Sequence, residues 1–134
     1  MGSQRLTIGL VQTRVSGNLE LNLRHTVARV AQAARRGAKV ICLQELFRTP
    51  YFPQAARKNF RHWSETIPGE STRVLANVAK RYRTSIIVPL YERDPKGRLF
   101  NSAAVIGPNG TLLPTYRKIH IPHDPLFYEK DYFQ

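Results

Sequence analysis

Val40-Ile41-Cys42-Leu43-Gln44-Glu45-Leu46-Phe47 is the stretch whose reading decides the fold. From Lys39 to Leu43 it is almost continuously apolar and rich in β-branched residues, the pattern of a strand covered on both faces. A carboxylate follows at once, at Glu45. Upstream, Leu6-Thr7-Ile8-Gly9-Leu10-Val11-Gln12 is a second β-rich run and reads as a buried strand. Between the two, Ser16-Gly17-Asn18 breaks the chain, and Leu19, Leu23, Val27, Val30 and Ala34 then recur at spacings that place them on one face of a helix. Asn18 is its expected N-cap, with Glu20 in the first turn; Arg35 and Arg36 close it and Gly37 takes the C′ position. Strand, helix and strand in this order predict a βαβ unit with a parallel pair. Functional groups of open α/β sheets gather at the carboxyl ends of the strands, which is where Glu45 stands.

Downstream, Thr49-Pro50-Tyr51-Phe52-Pro53 opens an aromatic loop bounded by prolines. A second helix is predicted from Ser71 to about Tyr82, with Val74, Leu75, Val78, Ala79 and Tyr82 on its inner side. Ser85 to Pro89 reads as a third strand and Leu99 to Ile106 as a fourth. Pro108-Asn109-Gly110 is a hairpin signal that returns the chain along Thr111 to Lys118. The segment from Ile119 to Gln134 mixes aromatics, prolines and charges without a period.

With 42% hydrophobic and 22% charged residues, the 134-residue chain has the balance of one globular domain, which excludes a disordered, fibrous or disulfide-scaffold protein. No apolar run approaches the length of a membrane span, and Met1-Gly2-Ser3-Gln4-Arg5 opens no signal-peptide core, so the expected location is cytoplasmic. The lone cysteine, Cys42, can form no internal disulfide. A net charge of +12 raises the question of nucleic acid. The basic groups, however, are scattered: Arg35, Arg36 and Lys39; Arg57, Lys58 and Arg61; Lys80, Arg81 and Arg83. They form no stripe, and neither a nucleic-acid nor a membrane partner is expected.

The residues with chemistry to offer each admit two readings. Glu45, directly after an apolar run, is expected to be partly desolvated and suited to general-base work; it could equally be an exposed helix-start glutamate. Lys118 ends a strand, where an ammonium could stabilise an oxyanion or simply face water. Glu129, framed by aromatics in Phe127 to Phe133, fits a pocket lining or a surface loop. His120 and His123 with Asp124 make a poor metal pair on a proline-interrupted segment, so no metal site is expected. Cys42 sits mid-strand and reads as a small buried hydrophobe.

Taken in order along the chain, these pieces resemble the nitrilase superfamily of carbon–nitrogen hydrolases. Ile8 to Gln12 resembles its first strand and Val40 to Phe47 the strand that delivers its catalytic glutamate. Pro68-Gly69, Asn101-Ser102-Ala103 and Gly110 are further landmarks, and Tyr116-Arg117-Lys118-Ile119-His120 resembles its lysine motif. The resemblance implies an α/β fold, the N-terminal half of an α-β-β-α sandwich, and a homo-oligomer at full length. It places general-base catalysis on Glu45, oxyanion binding on Lys118 and a second active-site glutamate on Glu129, with no cofactor. These three side chains are expected to converge. The segment from Ile121 to Phe133 is most similar to the N-carbamoylputrescine amidase branch of polyamine biosynthesis. Its implied substrates are an N-carbamoyl amine or a linear amide, with β-ureidopropionase-like amidases as near neighbours. The family nucleophile is a cysteine beyond the lysine motif, and Cys42 does not match it. Residues 1–134 are thus expected to form a single domain stopping short of that cysteine. Alone, such a chain is expected to be inert and prone to aggregate. A catalytically dead remnant or interaction module of the same fold is the alternative.

Overall fold

The computed structural model describes residues 5–134. Its elements run β1 (Ile8–Val11), α1 (Leu19–Arg35), β2 (Val40–Leu43), α2 (Glu70–Tyr82), β3 (Ser85–Arg93), β4 (Leu99–Ile106) and β5 (Leu112–Arg117), with three short 3-10 turns at Phe52–Gln54, Arg61–Trp63 and Glu129–Asp131. The strands form one sheet in the order β1-β2-β3-β4-β5. β1, β2 and β3 are parallel neighbours, and β3-β4-β5 continue as an antiparallel meander. None of the described helices is long and apolar enough to cross a membrane.

Local chemistry sets the boundaries of α1. Asn18 caps its start, its Oδ1 accepting from the Leu21 N–H at 3.0 Å. At the other end Gly37, with φ +91°, donates to the Ala34 carbonyl while Ala38 donates to that of Ala33, closing the last turn. Two landmark glycines also have local causes. A Cβ on Gly69, at the entry to α2, would lie 2.2 Å from the Thr66 carbonyl oxygen. Gly110, with φ +84°, makes the left-handed turn between β4 and β5.

Both helices cover the same face of the sheet. Val30 of α1 and Leu75 and Ala79 of α2 pack there on Ile41, Leu43, Ile86, Val88, Ala104 and Ile106, all buried. This corrects the expectation for the first two strands. β1 is an edge strand buried on one side only, with Ile8 59% and Leu10 81% exposed on the other. In β2, Ile41 and Leu43 are buried while Val40 and Cys42 are half-buried, because none of the described helices covers their face. Cys42 is thus less enclosed than the sequence predicts.

β3 outruns its expected end at Pro89. β2 pairs with it only as far as Ile87, so Pro89 sits where the ladder on that side has stopped and its missing N–H costs no sheet hydrogen bond. The Pro89 carbonyl instead accepts from the Phe47 N–H. The extra length carries Tyr91 to the uncovered face, where the aperiodic segments assemble a second core. Leu46, Phe52, Tyr91, Tyr132 and Phe133 are buried together there, with Tyr51, Phe60 and Trp63 against them. Phe52 is the hub, its ring 4.8 Å from Tyr91 and 5.1 Å from Tyr132. The aromatic loop and the last residues of the chain are therefore partners.

Candidate active site

Glu45 is aimed by the backbone after it. Leu46 has φ +50°, a left-handed conformation that costs a non-glycine residue about 1–3 kcal/mol. The side chains that hold it there go opposite ways: Leu46 into the aromatic core and Phe47 into the helix-covered core, each 1% exposed. Burial of each is worth about 1.5–3 kcal/mol, enough to hold the turn. Glu45 is left at the end of the sheet between the two cores. Beside it, Gln44 exchanges hydrogen bonds with the Thr13 backbone, tying the ends of β1 and β2 together.

Lys118 arrives just past the end of β5, with its N–H donating to the Asn101 carbonyl at 2.8 Å. Its ammonium donates to Glu129 Oε2 at 2.8 Å, to Glu129 Oε1 at 3.1 Å and to Glu45 Oε1 at 3.2 Å. The residues expected to converge do so, as one cation between two carboxylates. Their environments differ: Glu129 is 2% exposed, Lys118 31% and Glu45 48%. Glu45 is thus only partly withdrawn from water, with Asn101 and Lys118 against one oxygen and the rest of the carboxylate open. It is Glu129 that is buried, anchored in the 3-10 turn by the aromatic core around it.

Two further side chains complete the group. Asn101 Nδ2 donates to Glu45 Oε1 at 2.7 Å, and the Tyr51 hydroxyl donates to Glu129 Oε1 at 2.6 Å. Sequence reasoning gave neither a role, noting Asn101 as a landmark and Tyr51 as part of a loop. A buried asparagine in a strand otherwise made of small and apolar residues was the available signal for the first. For Tyr51 no local signal existed, since its partner lies 78 residues away.

Burial alone would lower the Lys118 ammonium pKa, but its hydrogen bonds to Glu129 and Glu45 outweigh it and hold it above the ordinary lysine value. The Tyr51 phenol is pushed well up, first by burial and then by donating to Glu129, so it stays a donor. The ensemble can present a fixed positive charge beside a solvent-facing carboxylate, which suits stabilising one oxyanion while moving a proton.

Other groups stand apart. Cys42 Sγ lies 3.5 Å from the neighbouring Leu43 carbonyl and has no basic partner among the described residues. Among the described residues no three His, Cys, Asp or Glu side chains cluster as a metal site. On the helix-covered face, buried Glu92 accepts from Ser102 at 2.5 Å and from Arg117 Nε at 2.9 Å, and Arg117 lies 3.7 Å over the Phe100 ring. A cleft of about 370 Å³ runs between β1 and α1, lined by Arg29, Gln32 and Arg36, but it contains none of the convergent carboxylates.

The Carbon-nitrogen hydrolase family model matches residues 7–134. Among curated proteins, omega-amidase NIT2 of Homo sapiens is 39% identical over 114 residues, covering 85% of this chain and 40% of that protein. Its Danio rerio counterpart is 38% identical over 117 residues, covering 87% and 41%. The chain thus spans about two-fifths of the length of the curated relatives it matches. Among solved structures, a carbon-nitrogen hydrolase from Helicobacter pylori G27 superposes with a TM-score of 0.88 at 32% identity, covering 96% of this chain and 44% of that one. Saccharomyces cerevisiae Nit3, of branch 10 of the nitrilase superfamily, superposes with a TM-score of 0.82 at 26% identity, covering 98% and 49%.

Proposed function

The chain belongs to the carbon–nitrogen hydrolase family, and from that premise we propose that Glu45, Lys118 and Glu129 are the proton-transfer and oxyanion-binding part of a centre that hydrolyses the C–N bond of a small linear amide. The observation that carries the reading is the single Lys118 ammonium held between the two carboxylates at 3.2 Å and 2.8 Å. The nucleophile is a cysteine thiol from polypeptide outside these 134 residues, since Cys42 is mid-strand and has no base beside it. Glu45 takes the thiol proton as sulfur bonds to the amide carbonyl. Lys118 donates to the resulting oxyanion, an interaction worth about 3–4 kcal/mol of barrier. Glu45 then passes the proton to nitrogen, the C–N bond breaks, and ammonia or an amine leaves a thioester. Water attacks the thioester with Glu45 again accepting the proton, releasing the acid and the thiol. Glu129 holds Lys118 in place. No metal or organic cofactor enters these steps.

The omega-amidase relatives favour a terminal amide as substrate. A second reading, an N-carbamoyl amine such as N-carbamoylputrescine, draws on the likeness of Glu129-Lys130-Asp131-Tyr132-Phe133 to that branch; its products would be amine, carbon dioxide and ammonia. Ammonia release from terminal amides, N-carbamoyl amines and nitriles, measured with the complete gene product and with the 134-residue chain, tests both. The complete product is expected to hydrolyse one of the first two classes in preference to nitriles, and the 134-residue chain none. Nitrile turnover alone, or no turnover by the complete product, contradicts the proposal; the second result would indicate a remnant of the fold.

A further inference from the structure

Asn101 touches both halves of the site. It lies on β4, the strand between β3 and β5, where its side chain reaches Glu45 and its backbone carbonyl holds the Lys118 N–H. At 6% exposure it is fixed by packing rather than free to swing. Its orientation follows from chemistry: an ionised carboxylate only accepts, so the Nδ2 group must face Glu45 and Oδ1 must point away.

The hydrogen bonds divide the two Glu45 oxygens. Oε1 accepts from Asn101 Nδ2 at 2.7 Å and from Lys118 Nζ at 3.2 Å. Oε2 accepts from no side chain or backbone group among the described residues, and the Glu45 side chain is 48% exposed. An oxygen that already accepts two donors is the poorer proton acceptor, and the open one is the better placed to meet an incoming thiol or water.

We propose that Asn101 is a positioning residue that pins Glu45 Oε1 and so leaves Oε2 as the oxygen through which Glu45 moves protons. This rests on the assignment of Glu45 as the base. A carboxylate held by Lys118 alone could rotate about its terminal bond and exchange its oxygens, because an ammonium on a flexible stem imposes no plane. The short, planar amide contact removes that freedom. Asn101 need not touch the substrate to do so.

Three measurements decide it. In ¹⁵N-labelled protein, the Asn101 side-chain amide protons are expected to shift as acid protonates Glu45, and to stop shifting in Glu45→Gln. A flat Asn101 profile in the unaltered protein overturns the positioning role even if amides are hydrolysed, whereas absence of hydrolysis sinks the reading of the site and leaves this coupling to be judged on the spectra. In the complete gene product, Asn101→Ala is expected to lower kcat about 10- to 100-fold with KM little changed, the signature of lost alignment rather than lost binding. Asn101→Asp, nearly isosteric, sets a second carboxylate against Glu45 at neutral pH. Its activity is expected to recover toward acid, where a protonated Asp can donate again, moving the pH optimum down. An Asn101→Asp pH profile that superimposes on the parent's, or a folded Asn101→Ala with kcat within about twofold, overturns the proposal.

Discussion

Replacing Lys118 by Met removes the charge but keeps most of the stem, and so isolates what the ammonium does for Glu129. In the parent, the Glu129 carboxylate is 2% exposed and accepts from Lys118 through both oxygens and from Tyr51 through one. Breaking a buried pair by deleting one partner costs about 3–5 kcal/mol. Two features argue for the low end: Lys118 is 31% exposed, and the Tyr51 hydroxyl stays on Glu129 Oε1. A loss of about 3 kcal/mol corresponds to about 10 °C in Tm for a domain of this size. Adding Glu129→Gln to Lys118→Met takes away the stranded charge and is expected to restore stability to within about 1 kcal/mol of the parent. The pH dependence has a definite sign. Because the folded-state pKa of Lys118 is raised, its contribution is fully present below the ordinary lysine value and is lost only as pH climbs through the raised one. The contribution of the Lys118 ammonium in the parent should therefore stay constant through neutral pH. Urea unfolding followed by circular dichroism, with thermal melts in parallel, gives each number. A Lys118→Met protein as stable as the parent, or a double variant no better than the single one, would refute the reasoning.

Other outcomes follow from the same structure. Arg117 and Ser102 hold the Glu92 carboxyl below its usual range despite burial, so Glu92 contributes stability above the ordinary glutamate value that is lost as pH falls. Arg117→Met should destabilise the protein at neutral pH and flatten the acid limb of its stability profile; an unchanged limb in urea titrations argues otherwise. Leu10, 81% exposed on the uncovered sheet face, can be exchanged for Lys with little loss of stability. That change should reduce dye binding and self-association by the 134-residue chain, and light scattering that does not fall would count against the face as the cause.

Much of this was legible in the sequence because the cues are local. Asn18 and Gly37 bound α1, Pro108-Asn109-Gly110 makes the hairpin, and the apolar run into Glu45 ends a strand at the site. What could not be read depended on partners distant in the chain. A continuous apolar run such as Val40 to Leu43 reports that both faces are greasy, not whether both are covered, so the exposed sides of β1 and β2 went unseen. Pro89 looked like a strand end because only the early finish of β2 makes it harmless. The last residues lack a period because they fold onto Phe52 and Tyr91, and that packing is what buries Glu129 and brings Tyr51 to it. The same packing decides between the two readings that the sequence leaves open for each glutamate: the strand-end carboxylate is half open to water, and the one in the aperiodic segment is enclosed.

The most direct test of the site is the rate of C–N hydrolysis by the complete gene product carrying Glu45→Gln, set against the parent on whichever amide the parent turns over. Glutamine keeps the shape and can still meet Lys118 and Asn101, but it can neither take nor give the proton. The expected result is a fall in kcat of about 10²–10⁴-fold in a protein that melts like the parent, the range that general acid–base catalysis supplies. A Glu45→Gln protein that cleaves the amide at the parent rate would contradict the assignment of this site.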